Sequence, residues 1–301
     1  MRADFASSVA YSYDFTVQLT VTDVSQILTR TSGFLHDVCS HSLQPYRGCA
    51  FGNSLCGVGC YVQHNFYVTK GAAWGSFVEA RVNAAEVYRE QYEREKNWAR
   101  KARGKFGIFL SSSTEPFQPM ERSHRVTQKV LEVMVDRPPD FLILQTHSHH
   151  VADYVPLYQR LIQAMDLRVH ISIESDRDQL PGLPKSASSV AKRMEAAATL
   201  KENGVPVIAT VAPLLPISDP HEFFRKLSQV ANAVVIDHYI GGDGSSNGAR
   251  TMRTKLPAAM AAIESQSVEI TYRELMIEVA RKYFAGRIGV NIAGFAGRYL
   301  G

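Results

Sequence analysis

FLILQTHSHHVADYVPLYQRLIQAMDLRVHISIESD, residues 141–176, holds two short apolar runs, FLILQ (141–145) and RVHISI (168–173). Between them DYVPLYQRLIQAM spaces its apolar residues as an amphipathic helix does. Runs that are apolar nearly throughout suit strands buried on both faces, which means a parallel sheet covered by helices. The same unit recurs on both sides. GIFLS (107–111), PVIATVA (206–212) and AVVIDHY (233–239) read as further strands, and HRVTQKVLEVMV, SSVAKRMEAAATLKENG and DPHEFFRKLSQVA as helices, several opened by Ser or Asp caps. VEARVNAAEVYREQYERE (78–95) is also expected to be helical.

Upstream, FTVQLTVTDV (15–24) alternates like a half-buried strand. Counting a strand that leads into PYRGCAFGNSLCGVGCY (45–61) gives six β/α units, an α/β chain that is either a doubly wound sheet or a complete or partial (β/α) barrel. In all of these the chemistry belongs at the carboxyl ends of the strands, where the βα loops converge. A helix in TYRELMIEVARKYFAG and a short strand in RIGVNIAGF are expected to close one side. The expected division is an N-terminal extension (1–38), a core (39–240) and a C-terminal loop, helix and strand (241–301).

With 301 residues, 45% hydrophobic and 21% charged, the chain has the composition of a soluble globular protein. No apolar run approaches the roughly 18 residues of a membrane span, and the N-terminus lacks a secretory apolar segment, so no membrane partner and a cytoplasmic location are expected. The net charge of +4 is modest. Much of it lies in REQYEREKNWARKARGK, which reads as a solvated helix face rather than a nucleic-acid surface.

Three of the four cysteines, Cys49, Cys56 and Cys60, fall in residues 45–61 among glycines that let a backbone wrap closely. In a reducing compartment such clustering points to metal or redox chemistry rather than a disulfide framework. Three thiolates can hold three irons of a [4Fe-4S] cluster and leave the fourth open. A structural zinc wants four ligands, for which Cys39 is the available fourth, and buried unliganded thiols are the remaining reading.

PYRGC followed by a cysteine-rich turn ending in CY resembles the cluster-binding loop of radical S-adenosylmethionine (SAM) enzymes, in the branch similar to spore photoproduct lyase, whose members read NPYRGCxxxCxxCY. The spacing here, Cx6Cx3C, is longer. VEARVNAAEVYREQYERE, SSSTEPFQPMERSHRVTQKVLEVM and SVAKRMEAAATLKENGVPVIATVAPLLPISD are similar to family segments in the same order, covering residues 43 to 220.

The resemblance implies a partial (β/α)6 TIM-like barrel. It also implies a [4Fe-4S] cluster on Cys49, Cys56 and Cys60, and SAM cleaved to a 5'-deoxyadenosyl radical that takes hydrogen from a small-molecule or nucleotide-type substrate, with a flavodoxin- or ferredoxin-like protein as electron donor. On it, Ser113, Thr114 and Glu115 would meet the SAM amine, Ser172 and Glu174 the ribose, and Arg193 the carboxylate. His147 stands where the family often has a Lys and would contact SAM or substrate, and Tyr239 is a candidate relay. The family's hydrogen-donating Cys is replaced within SSST (111–114), so the photoproduct-lyase reaction itself does not carry over.

Two rival readings remain. His147 and His149 form an HxH pair at a strand end, with Asp237 or His238 as further ligands, as in metal-dependent barrel hydrolases. A noncatalytic nucleic-acid-binding relative using the basic helix is the other. YIGGDGSSNGAR reads as a rim loop rather than a phosphate cradle, since it lacks a P-loop Lys.

Overall fold

The computed structural model describes residues 7–8 and 17–301; Phe15 and Thr16 of the first expected strand lie outside them. Seven parallel strands run side by side in chain order: β1 (His41–Leu43), β2 (Gly107–Leu110), β3 (Phe141–Thr146), β4 (Asp166–Ser172), β5 (Val207–Val211), β6 (Ala233–Ile236) and β7 (Ile288–Val290). The connections carry helices α1 (Ala84–Arg103), α2 (Val126–Asp136), α3 (Val155–Ala164), α4 (Val190–Glu202), α5 (Pro220–Val230) and α6 (Ile270–Arg281). Leu28–Arg30 pairs antiparallel with β1 at one edge and Tyr299–Leu300 with β7 at the other. This is the expected α/β partial barrel of six β/α units, with β7 as a further parallel strand.

Period-two alternation divides the side chains of each strand between two environments. Ile108, Leu110, Leu142, Leu144, Val169, Ile171, Val234 and Ile236 pack into the layer beneath the helices. Their neighbours Phe109, Ile143, Ile208 and Val235 face inward, where Phe295 from the segment after β7 fills the interior against Phe109, Phe34 and His170.

Helix ends carry the usual local signals. Ser189 caps α4 by accepting from Lys192 N, and Asp219, followed by Pro220, caps α5 by accepting from Glu222 N. Arg100, Lys101 and Arg103 sit in the last turn of α1, where cations complement the helix dipole.

Two expectations are corrected. VEAR is not helical: Phe77–Arg81 is a strand, alternately half-buried and buried, in a separate small sheet between Gln18–Thr22 and Tyr46–Gly48. The strand leading into the cysteines, Tyr46–Gly48, therefore lies outside the barrel, whose first strand is His41–Leu43.

A buried carboxylate ties this side together. Glu95 of α1 lies 2.9 Å from Arg30 Nε, 3.1 Å from His41 Nε2 and 2.7 Å from Arg94 Nε. Burial pushes the Glu95 carboxyl up, but hydrogen bonds from Arg30, Arg94 and His41 outweigh it and hold the group at about 2. A carboxylate lowered on folding stabilises above its unfolded value and loses that contribution as pH falls through its folded one. Glu95→Gln should be less stable than the wild type at pH 7 by chemical denaturation, with the gap narrowing as pH falls from about 4.5 to about 2. A gap independent of pH would contradict this assignment.

Candidate active site

The carboxyl ends of the barrel strands open onto one cavity of about 430 Å3, a size that suits a small-molecule ligand. Its wall includes Cys49, Cys56 and Cys60 on one side, and Ser113, Thr114 and Glu115 after β2. His147 after β3, Glu174 after β4, Arg193 of α4 and Asp237, His238 and Tyr239 after β6 complete its polar part. Residues 120 or more apart in the chain thus meet because each ends or follows a neighbouring strand.

The cysteine loop is compact for a steric reason. A Cβ on Gly57 would lie 2.2 Å from Gly52 O, so the two turns carrying Cys49 and Cys56 can approach only with glycine there. Gly48, just before Cys49, has φ +79° and a Cβ there would meet Phe77 O at 2.3 Å. All three thiols are free. Burial raises Cys56 to about 12 and Cys60 to about 11, and raises Cys49 well above its ordinary value, with Cys56, Glu115 and Cys60 adding repulsion. Such thiols ionise readily only against a metal centre that stabilises the thiolates. Cys39 stands apart: its Sγ faces His41 O at 3.2 Å within an apolar cluster, so it is not a fourth ligand.

Across the cavity, Glu174 is held by Arg193 NH1 at 2.7 Å and by His147 Nε2 at 2.9 Å. Burial pushes the Glu174 carboxyl up, but the charges of Arg193 and His147 prevail and keep it well below the usual carboxylate range. Arg193 NH1 also donates to Ser172 O, while its buried Nε has no partner among the described residues. Glu115 accepts from Thr146 Oγ1 at 2.6 Å, Phe117 N at 3.0 Å and His147 N at 2.8 Å, clamping the ends of β2 and β3 together. Ser113 N and Thr114 Oγ1 both donate to Gln44 Oε1 at 3.4 Å. Asp237 accepts from His238 N at 2.9 Å and lies 3.6 Å from Arg273; burial dominates and lifts it to about 7.

Of the residues expected here, Ser172 is not in the cavity wall. It is fully buried one layer below, its hydroxyl 3.4 Å from Gln145 Nε2 and from Thr210 Oγ1. Tyr239 lines the cavity but donates its hydroxyl to Val268 O at 2.9 Å. The HxH pair does not converge, because His147 turns to Glu174 while His149 Nδ1 lies 2.8 Å from Ser188 Oγ. Among the described residues no three His, Cys, Asp or Glu come together closely enough to hold a single metal ion. In the rim loop, Asp243 accepts from Ser245 N and Thr251 N, which takes those donors from any phosphate.

Trp74, Ser111, Phe109 and Phe295 were not singled out by the sequence and also line the cavity. Trp74 Nε1 and Ser111 Oγ are buried and unpartnered among the described residues, and Ser111 adopts φ +67°. GAAWG (71–75) gives no sign of Trp74, because only the small sheet brings that turn over the cysteines.

No protein-family model matches the chain. An uncharacterized protein of Methanocaldococcus jannaschii is 23% identical over 175 residues, 58% of this chain and 60% of the relative, so the chain spans less than two thirds of that relative's length. Among solved structures, spore photoproduct lyase complexed with dinucleoside spore photoproduct matches with a TM-score of 0.60 at 16% identity, over 91% of this chain and 81% of the lyase. A tyrosine-to-phenylalanine variant of the lyase matches with a TM-score of 0.61 at 14% identity over the same shares. A variant with bound AdoMet and dinucleoside spore photoproduct gives 0.60, also at 14% identity over those shares. The class defined is the α/β partial barrel. More particularly, the fold is the one found in spore photoproduct lyase. No helix among the described residues is long and apolar enough to cross a membrane.

Removing one member of a buried ion pair leaves the other charge uncompensated, at roughly 3–5 kcal/mol. Arg193→Met should therefore destabilise by about 3 kcal/mol in urea unfolding, and Arg193→Met with Glu174→Gln should recover most of it. Additive losses in the double variant would show that the pair is not coupled.

Proposed function

We propose that the chain is a radical SAM enzyme, in which Cys49, Cys56 and Cys60 hold a [4Fe-4S] cluster and the cavity beside them takes SAM. The observation that carries this reading is the opening of three neutral thiols, Cys49 buried and Cys56 and Cys60 half-buried, onto the same cavity as the polar ends of the parallel strands. When bound, the cluster supplies the electron that splits SAM to methionine and a 5'-deoxyadenosyl radical able to take hydrogen from substrate.

The chain's own part is positioning and exclusion of water. With NH1 committed to Glu174 and Ser172 O, the remaining N–H groups of the Arg193 guanidinium, including its unpartnered Nε, are the donors left for a carboxylate. Glu174, kept ionised by Arg193 and His147, is the acceptor suited to ribose hydroxyls. The amine of SAM falls to the Ser113–Glu115 turn, which Gln44, Thr146 and Phe117 hold in place. Phe109 and Phe295 give the interior side of the cavity a dry wall. Asp237, His238 and Tyr239 face a small-molecule or nucleotide-type substrate from β6.

Anaerobic reconstitution with iron and sulfide should give a brown protein holding about four irons, paramagnetic on reduction, that converts SAM to 5'-deoxyadenosine. Cys49→Ala, Cys56→Ala or Cys60→Ala should each abolish the signal and the cleavage together. A colourless protein with stoichiometric zinc, or iron uptake indifferent to these changes, would overturn the proposal.

A further inference from the structure

An electron carrier must reach the cysteine loop from outside, and the surface around that loop has an unusual charge pattern. The chain contains no Asp or Glu between residues 40 and 78, which include the cysteines, and none between 244 and 263, the segment packed against them. The two segments share one rim. Leu256 Cδ2 lies where a Cβ on Gly59 would meet it at 2.4 Å, and Tyr61 and Arg250 border the same cavity.

The cations on these segments, Lys70, Arg250, Arg253 and Lys255, are exposed, and none has an ion-pair partner among the described residues. Arg47, the cation nearest Cys49 in sequence, is neutralised by Glu79 at 2.6 Å. The same two segments also expose large apolar side chains. Phe66 is 70% exposed, Tyr67 90% and Met252 61%, and the short helix Phe66–Thr69 follows directly on the Tyr61–His64 turn after Cys60. Exposed aromatics rimmed by charge of one sign are the mark of a docking surface for a partner of opposite sign.

We infer that Phe66, Tyr67, Lys70, Met252, Arg253 and Lys255 form the docking face for an acidic one-electron carrier protein of the flavodoxin or ferredoxin kind. The inference rests on the reading of the adjacent thiols as cluster ligands. The carrier, reduced beforehand, gives up one electron to the cluster and leaves one electron poorer; no bond is made or broken at the face itself. Cationic side chains steer an acidic carrier, and such steering weakens with salt.

The test compares wild type with Lys70→Glu/Arg253→Glu/Lys255→Glu and with Phe66→Ser/Tyr67→Ser, none of which lines the cavity. Titration of chain without a cluster with an acidic flavodoxin and an acidic ferredoxin should show salt-sensitive binding that both variants weaken by about tenfold. On reconstituted protein, SAM cleavage driven by either reduced carrier should fall in parallel, while cleavage driven by dithionite is unchanged. Absence of binding to both carriers, or variants that bind and turn over like wild type, would overturn the docking face. So would loss of oligonucleotide binding or of self-association in the variants without loss of carrier binding. A wild-type protein that binds a carrier through this face but never cleaves SAM with dithionite would instead sink the enzymatic reading.

Discussion

A parallel strand buried on both faces has no side on which to present polar chemistry, and this constraint organises the molecule. β2, β5 and β6 are buried at every position, one set of side chains under the helices and the other in the interior. Polar groups can then reach a ligand only where the strands end. Glu115, His147, Glu174 and Asp237 each stand within a few residues of such an end, and the cysteine loop, which comes from the small second sheet, is laid against the same opening.

The same constraint explains how much of the site could be read from residue order. The apolar runs predict five of the seven parallel strands, and the polar residues that follow them locate the cavity wall. Ser172 and Glu174 share a parity along the chain and looked equivalent. In the barrel they are a layer apart: Ser172, the last residue of β4, is sealed between Gln145 and Thr210, while Glu174 has cleared the sheet. Layer depth depends on the register between strands, which a single strand's sequence does not contain.

Other features were illegible for different reasons. VEAR is made of residues with good or neutral helix propensity, and its identity as a strand depends on partners at Gln18–Thr22 and Tyr46–Gly48. His41–Leu43 is three residues long and carries a buried His that a hydropathy pattern cannot rank as core; it is placed by Glu95, 54 positions away. The interior plug is a nonlocal product as well, since Phe34, Phe109 and Phe295 meet only once both edges of the sheet are in place.

Charge is balanced closely around the thiols. Three thiolates side by side repel one another, and nearby carboxylates would make their ionisation harder still. Of the two carboxylates that do approach, Glu174 is held ionised by Arg193 and His147, whereas Glu115 accepts from three hydrogen-bond donors but burial still raises its carboxyl above the usual value. Elsewhere the segments that form and cover the loop carry no acid at all. The lack of carboxylates in these segments spares the three sulfurs further repulsion. On the docking proposed above, the exposed cations of the same segments would turn a positive face outward toward an acidic carrier.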